Sequence, residues 1–328
     1  MSRRWKVLLC GYYGMGNCGD EFLAAAVLSL LERCGVDRSH VAMLSGNVME
    51  SEKIHGVCSF DRWSLKETAQ AAKDSETFLL GGGGIFQDSS SFISPWYYWC
   101  VMKIAALCGC KVWAVGQSVG PLNHCVNRMI ARNAFSDCKY VSLRDAHSHD
   151  FLGGRGVLCD DLVLTLPDEK ISAQKENVLV NFRPAGGLER AAAKSFSASS
   201  WSHGKKIVGV AMSQEDVTLM EAMQHEELLR LDELYLCNTL NWQSIFSMGA
   251  TAFGMRLHFG VLCLKRDIPC TLVPYDPKVS DFAIRWGGGM WNGAFDAPRP
   301  WNHRFLLDKA VQTTIHTFQD GLNRVMNV

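Results

Sequence analysis

The clearest chemical signal in the chain is Gly254-Met-Arg-Leu-His258. It follows one short apolar run and precedes another, Phe259–Leu264, so Arg256 and His258 fall where a strand should end and a helix begin. Such a position favours anions, because the unpaired N–H groups of a first helical turn and the helix dipole both present positive charge. Arginine offers a planar fork that fits a carboxylate or phosphate, and histidine can accept or deliver a proton near neutral pH. Arg144, closing the run Lys139–Leu143, and Lys278, in Pro274-Tyr-Asp-Pro-Lys278, occupy equivalent strand ends. His258, Arg144, Arg256 and Lys278 are therefore the candidate catalytic residues, and an anionic substrate with proton transfer is the chemistry they suit.

Glycine loops supply the candidate binding residues. Gly11–Gly19 follows the first apolar run and opens a helix, which suits phosphate through Gly14, Asn17, Gly19 and Asp20. It lacks the Gly-Lys-Ser/Thr of a Walker A loop, and Tyr12 and Tyr13 spoil a G-x-G-x-x-G register. Close strand–helix packing is the competing explanation, and Asp20 and Glu21 would stabilise any first helical turn. The run Gly81–Gly84 is costly to order, which a backbone passing close to a ligand would justify. Gly82, Gly83, Gln87 and Asp88 are expected to contact substrate, as is Gln117 in Gly116-Gln-Ser-Val-Gly-Pro121. Glu215-Asp216, after a strand ending at Met212, would serve the ribose of a nucleotide sugar. His147 and His149 are two apart and would point in different directions on a helix, so no metal site is expected.

Short apolar runs separated by helix-length segments must position these groups. Lys6–Cys10, Thr77–Leu80, Lys111–Val115, Lys139–Leu143 and Val157–Cys159 read as parallel strands buried on both faces, with Glu21–Arg33 and Val101–Leu107 as crossover helices. After a polar linker, Pro167–Lys175, the pattern restarts with Val178–Phe182, Lys206–Met212, Leu234–Leu236, Ala250–Phe253 and Cys270–Val273. Helices are expected near Glu189–Ser200, Val217–His225 and Trp242–Met248. The expectation is an α/β protein of two doubly wound, Rossmann-like domains facing a central cleft, spanning 1–168 and 176–301, with a closing helix at 302–328. Ligands of such sheets bind outside the carboxyl ends of the strands, where the glycine loops lie.

Composition narrows the class. A chain of 328 residues with 48% hydrophobic and 20% charged content can build two cores. Lys plus Arg and Asp plus Glu number 33 each, which gives no support to nucleic-acid binding. The 13 cysteines are odd in number, often sit in apolar runs and form no Cys-x-x-Cys, so reduced thiols of a cytoplasmic protein are expected. The N-terminal apolar run is too short for a signal peptide, and Phe92–Cys108, interrupted by Pro95 and Lys103, is too short to span a bilayer.

The ordered set Gly11-Tyr-Tyr-Gly-Met-Gly-Asn-Cys-Gly-Asp-Glu21, Gly81-Gly-Gly-Gly-Ile-Phe-Gln-Asp88, Gly116-Gln-Ser-Val-Gly-Pro-Leu122, Ser142-Leu-Arg-Asp145, Gly254-Met-Arg-Leu-His258 and Tyr275-Asp-Pro-Lys278 resembles the polysaccharide pyruvyl transferases, the CsaB type most closely. The resemblance implies a GT-B-like fold and transfer of pyruvate from phosphoenolpyruvate onto two hydroxyls of a sugar, giving a cyclic ketal and phosphate without a cofactor. It implies an acceptor containing N-acetylmannosamine within a lipid-linked cell-wall polysaccharide precursor, the product being a secondary cell-wall polymer that anchors surface-layer proteins. The family's functional Arg, His and Lys fall on Arg144, His258 and Lys278, with Arg256 beside the histidine. Such an enzyme would work in the cytoplasm at the inner face of the membrane. The aromatic run Ser94–Cys100, with Trp96 and Trp99, suits either core packing, the weightier reading, or a peripheral membrane contact. Ser118, Cys18 and Leu162 depart from the family pattern, and Trp286–Trp301 has no assigned place in it. A GT-B glycosyltransferase using a nucleotide sugar is the alternative enzyme; an inactive sugar- or anion-binding module is the alternative without turnover.

Overall fold

The computed structural model describes residues 3–89, 91–168 and 176–326. The chain forms two compact units, one of Met1–Leu166 with Lys309–Val328, the other of Pro167–Asp308. Most of the polar segment 167–175 lies outside the described residues.

In the first unit the elements are β1 (Trp5–Cys10), α1 (Cys18–Arg33), β2 (Val41–Ser45), α2 (Val48–His55), β3 (Cys58–Asp61), α3 (Leu65–Lys73), β4 (Ser75–Leu80), β5 (Gly83–Phe86), α4 (Ser94–Leu107), β6 (Lys111–Val119), α5 (Cys125–Ser136), β7 (Val141–Leu143), α6 (Ala146–Phe151) and β8 (Val157–Leu158). The strands pair in parallel in the order β3-β2-β1-β4-β6-β7-β8, with β5 beside the far end of β6. Central strands such as β2 are buried at every residue, which is why they read as unbroken apolar runs. Two expectations change. β8 is an exposed edge rather than a buried strand, because it has a neighbour on one side alone. Pro95 opens α4 instead of interrupting it, since a proline in the first helical turn costs no hydrogen bond.

The second unit contains β9 (Asn177–Asn181), α7 (Leu188–Ser197), β10 (Ile207–Ala211), α8 (Gln214–His225), β11 (Glu233–Leu236), α9 (Trp242–Ser247), β12 (Gly249–Gly254), α10 (Leu257–Lys265), β13 (Cys270–Leu272), α11 (Pro277–Trp286) and β14 (Gly289–Met290). These strands pair in parallel in the order β11-β10-β9-β12-β13-β14. The segment Trp286–Trp301 now has a place. It adds β14 to the sheet edge, packs Phe295 against Phe196, Trp201 and Phe253, and ties Trp301 Nε1 to the Ile268 carbonyl at 2.8 Å.

The closing helix, α12 (Leu307–Met326), starts later than Asn302 because residues 302–306 are held in turns against Trp286 and Gly287. It belongs to the first unit. Its Phe318 packs on Trp113, and the Tyr140 hydroxyl donates to the Thr317 carbonyl at 2.7 Å. Among the described residues no disulfide joins any of the cysteines, and no helix is long and apolar enough to cross a membrane.

Candidate functional site

In the second unit the candidate cations converge on the carboxyl ends of neighbouring strands. β12 runs out at Gly254, and Met255 and Arg256 turn into α10. Gly254 is required there: a Cβ would lie 2.6 Å from the Phe259 ring, which packs back onto the strand end. Asn181, buried at the end of β9, fixes the turn by accepting the Arg256 N–H at 2.8 Å and donating to the Val210 carbonyl at 2.8 Å. The Arg256 side chain turns to Asp216, with Nε at 3.0 Å and Nη2 at 2.6 Å from its two oxygens, and to the Ser213 hydroxyl at 2.8 Å. Burial alone would lower the Arg256 pKa, but the Asp216 bonds and charge raise it, so the guanidinium stays charged. His258, half-buried, is the second residue of α10. Lys278 is the second residue of α11, with its Nζ 3.1 Å from Asp276, whose other oxygen caps the helix at the Lys278 N–H.

One cation was missed from the sequence. Arg183 follows β9, lies over the Tyr275 ring at 4.7 Å and donates to its hydroxyl at 3.1 Å. Its position just beyond an expected strand was the available signal. Ser213, Arg183, Arg256, His258 and Lys278 therefore cluster on the ends of β10, β9, β12 and β13, four consecutive strands of the sheet. Glu215, by contrast, is exposed in the first turn of α8, and its neighbour Asp216 is committed to Arg256.

In the first unit the glycine loops meet at the start of α1, but most of the expected binding groups are occupied by the fold. Asn17 caps α1 through the Gly19 N–H at 3.2 Å and donates to Asp20 at 2.6 Å. Gly14 adopts a left-handed φ of 70°, where a Cβ would lie 2.1 Å from the Ser45 hydroxyl, and its N–H goes to Glu21 at 2.7 Å. The other Glu21 oxygen meets His55 Nε2 at 2.7 Å. Gly82 is a packing requirement, since a Cβ there would sit 2.9 Å from Leu23 and 3.1 Å from Leu162. Gly83 lies against Asp20, with a φ of 136° that favours glycine. Gln117 is wholly buried, and its amide donates to the carbonyls of Leu80 at 3.1 Å and Gly81 at 2.7 Å. Asp88 accepts from the N–H groups of Asn123 at 2.7 Å and His124 at 2.9 Å, and from the Asn127 amide at 3.1 Å, which fixes the entry to α5. Gln87 accepts from Ser89 in a local turn. The structure thus brings Asn17, Asp20 and Gly83 together and sets Gln117 and Asp88 into backbone support.

Arg144 follows β7 and bonds Asp161 through Nη1 at 2.7 Å, both side chains being buried. Asp145, its neighbour in sequence, instead caps α6 at the Ser148 N–H. Among the described residues no group of three His, Cys, Asp or Glu side chains is placed to hold a metal ion.

Two parallel-sheet Rossmann-like units in this order make an α/β protein of GT-B-like fold. Solved structures agree. MurG from Acinetobacter baumannii is 14% identical at a TM-score of 0.53, covering 98% of this chain and 100% of that one. A UDP-N-acetylglucosamine 2-epimerase described as putative, from Listeria monocytogenes, is 9% identical at a TM-score of 0.58, covering 98% and 90%. The UDP-GlcNAc 2-epimerase of Neisseria meningitidis, solved with UDP-GlcNAc, is 8% identical at a TM-score of 0.57, covering 98% of each chain. Likeness at such identities concerns the fold alone. No curated protein matches the chain in sequence. The family pattern of the polysaccharide pyruvyl transferases matches residues 17–277, and the chain belongs to that family. It is accordingly a transferase.

Proposed function

We propose that the protein transfers pyruvate from phosphoenolpyruvate to a sugar, N-acetylmannosamine, in a lipid-linked cell-wall polysaccharide precursor, with release of phosphate. The observation that carries this reading is the cluster of Arg183, Arg256, His258 and Lys278 on adjacent strand ends of one sheet. Phosphoenolpyruvate carries a phosphate and a carboxylate and needs several cations. His258 delivers a proton to C3, making it a methyl group and leaving positive character on C2. A sugar hydroxyl adds to C2 and returns its proton to His258. The C2–O bond to phosphate then breaks, and a second hydroxyl adds to C2, giving its proton to the departing phosphate and closing the ketal. Lys278 and Arg183 hold the anionic groups and support phosphate departure, an electrostatic contribution that is often the largest in catalysis, and Arg144 is a separate candidate anion contact within the first unit. Arg256 is held by Asp216 and acts from that fixed position.

The product polymer would serve surface-layer attachment, and the enzyme would meet its lipid-linked acceptor at the cytoplasmic membrane face. A half-exposed Trp96 is available for that contact, whereas the Trp99 indole is bonded to Asn133 at 2.8 Å. Mass spectrometry of a lipid-linked N-acetylmannosamine acceptor after incubation with phosphoenolpyruvate tests the reading: the expected product gains a pyruvyl ketal and phosphate appears. A nucleotide-sugar transferase is the second reading, with Glu215, exposed in the first turn of α8, as the group for the ribose. Calorimetric binding of UDP-sugars without binding of phosphoenolpyruvate would establish it instead.

A further inference from the structure

Arg62, just beyond β3, is 2% exposed, and among the described residues no carboxylate is bonded to it. Its Nη1 donates to the Gly11 carbonyl at 2.8 Å and its Nη2 to the Tyr98 hydroxyl at 2.9 Å, while Nε is buried without a partner among the described residues. The Tyr97 hydroxyl donates back to the Arg62 carbonyl at 2.8 Å. Four rings surround the guanidinium, with centroids at 4.8 Å (Tyr97), 5.1 Å (Trp63), 5.4 Å (Tyr98) and 5.7 Å (Tyr12). A buried arginine is ordinarily paired with an acid, because the cost of desolvating it is large. Here aromatic faces take the place of the acid. The result is a clamp that ties the Gly11 turn to α4 and fixes the rings around it.

Two of those rings reach the surface, Tyr12 at 38% and Trp63 at 60% exposure. Trp63 is braced by Tyr97, their centroids 5.4 Å apart. Two carboxylates stand at its rim: Asp61 accepts the Trp63 N–H at 2.9 Å, and Glu67 accepts the Asp61 N–H at 2.9 Å. An anionic lipid surface would be repelled by that rim. A sugar ring fits both features, its C–H face lying on the indole and phenol and its hydroxyls donating to the carboxylates. Rings already fixed in place lose little freedom on binding.

We propose that Tyr12 and Trp63, held by Arg62, form a stacking site for a sugar ring of the acceptor. The proposal rests on the reading that the protein acts on a saccharide, and it adds where that saccharide docks. Tyr12 belongs to the same loop as Gly14 and Asn17, so the site adjoins the start of α1.

The test is saturation-transfer NMR of the intact protein with the methyl glycosides of N-acetylmannosamine and N-acetylglucosamine, beside calorimetry with phosphoenolpyruvate. Trp63→Ala should weaken saccharide binding about tenfold, the scale of an exposed aromatic anchor, and Trp63→Phe should restore most of it. Phosphoenolpyruvate affinity should be unchanged in both. The proposal is overturned if Trp63→Ala and Tyr12→Ala both leave saccharide affinity intact, or if the wild-type protein gives no saccharide signal. It is also overturned if Trp63→Ala abolishes flotation with phosphatidylglycerol vesicles while saccharide affinity stays the same. Trp63-dependent saccharide binding in a protein that never consumes phosphoenolpyruvate would refute the pyruvyl-transfer reading and leave the stacking site standing.

Discussion

Arg144 and Arg256 each follow a strand and each meets a buried aspartate, Asp161 in the first unit and Asp216 in the second. The grips differ. Arg256 spends Nε and Nη2 on Asp216 and Ser213, and its backbone is held by Asn181. Arg144 makes one bond to Asp161, through Nη1. A guanidinium held at two nitrogens is a fixed girder beside the turn into α10. One held at a single nitrogen keeps most of its fork for another anion. The same residue type at the same kind of position is therefore tied at two nitrogens in one unit and at one in the other.

The largest effect is expected at His258, two residues beyond Arg256 at the start of α10. His258→Ala is expected to lower turnover by roughly 10²–10⁴-fold, the usual worth of a lost general acid, with a much smaller change in phosphoenolpyruvate affinity. Unchanged turnover at saturating donor would mean that another group is the acid. Arg256→Ala should act first on stability, because it strands Asp216 in the interior; denaturant unfolding should show a loss of about 3–5 kcal/mol. If the midpoint stays put while turnover collapses, Arg256 touches substrate and the contrast is broken. Arg144→Lys keeps the charge and loses the fork, so steady-state kinetics should show the barrier to turnover raised by about 1.5–3 kcal/mol, the worth of a hydrogen bond to a charged group. Near-wild-type turnover would make Arg144 a structural partner of Asp161.

The smallest effect is a pH dependence. Burial raises the Asp88 pKa, but the bonds from Asn123, His124 and Asn127 outweigh it and leave the carboxyl below its ordinary 3.8. A depressed carboxyl contributes stability that is present above its unfolded value and is lost as pH falls through the folded one. Urea midpoints should therefore fall more steeply below the ordinary value in wild type than in Asp88→Asn. Parallel curves would mean that Asp88 does not support α5.

The sequence marked the carboxyl ends of the strands well, because buried parallel strands write themselves as apolar runs closed by glycine or charge. It marked poorly what each polar residue does there. Gln117 and Asp88 lie beside glycines and look like ligand contacts, yet their bonds go to backbone groups distant in sequence. Asp161 is 17 residues from its arginine, and no local pattern links the two. β2 and β3 passed unrecognised, the latter because only one of its four residues is fully buried. Arg62 was hidden for the same reason: its meaning depends on Tyr97 and Tyr98, which in sequence look like part of an interfacial aromatic run.

Helix α12 covers Trp113 and Tyr140 of the first unit, although the second unit separates them in the chain. During synthesis on a ribosome, the first unit is begun early and completed last. Until α12 emerges, the Trp113 and Tyr140 rings lack its cover, while the second unit already has all of its sheet. The unit first to be translated is thus the last to be able to close its core.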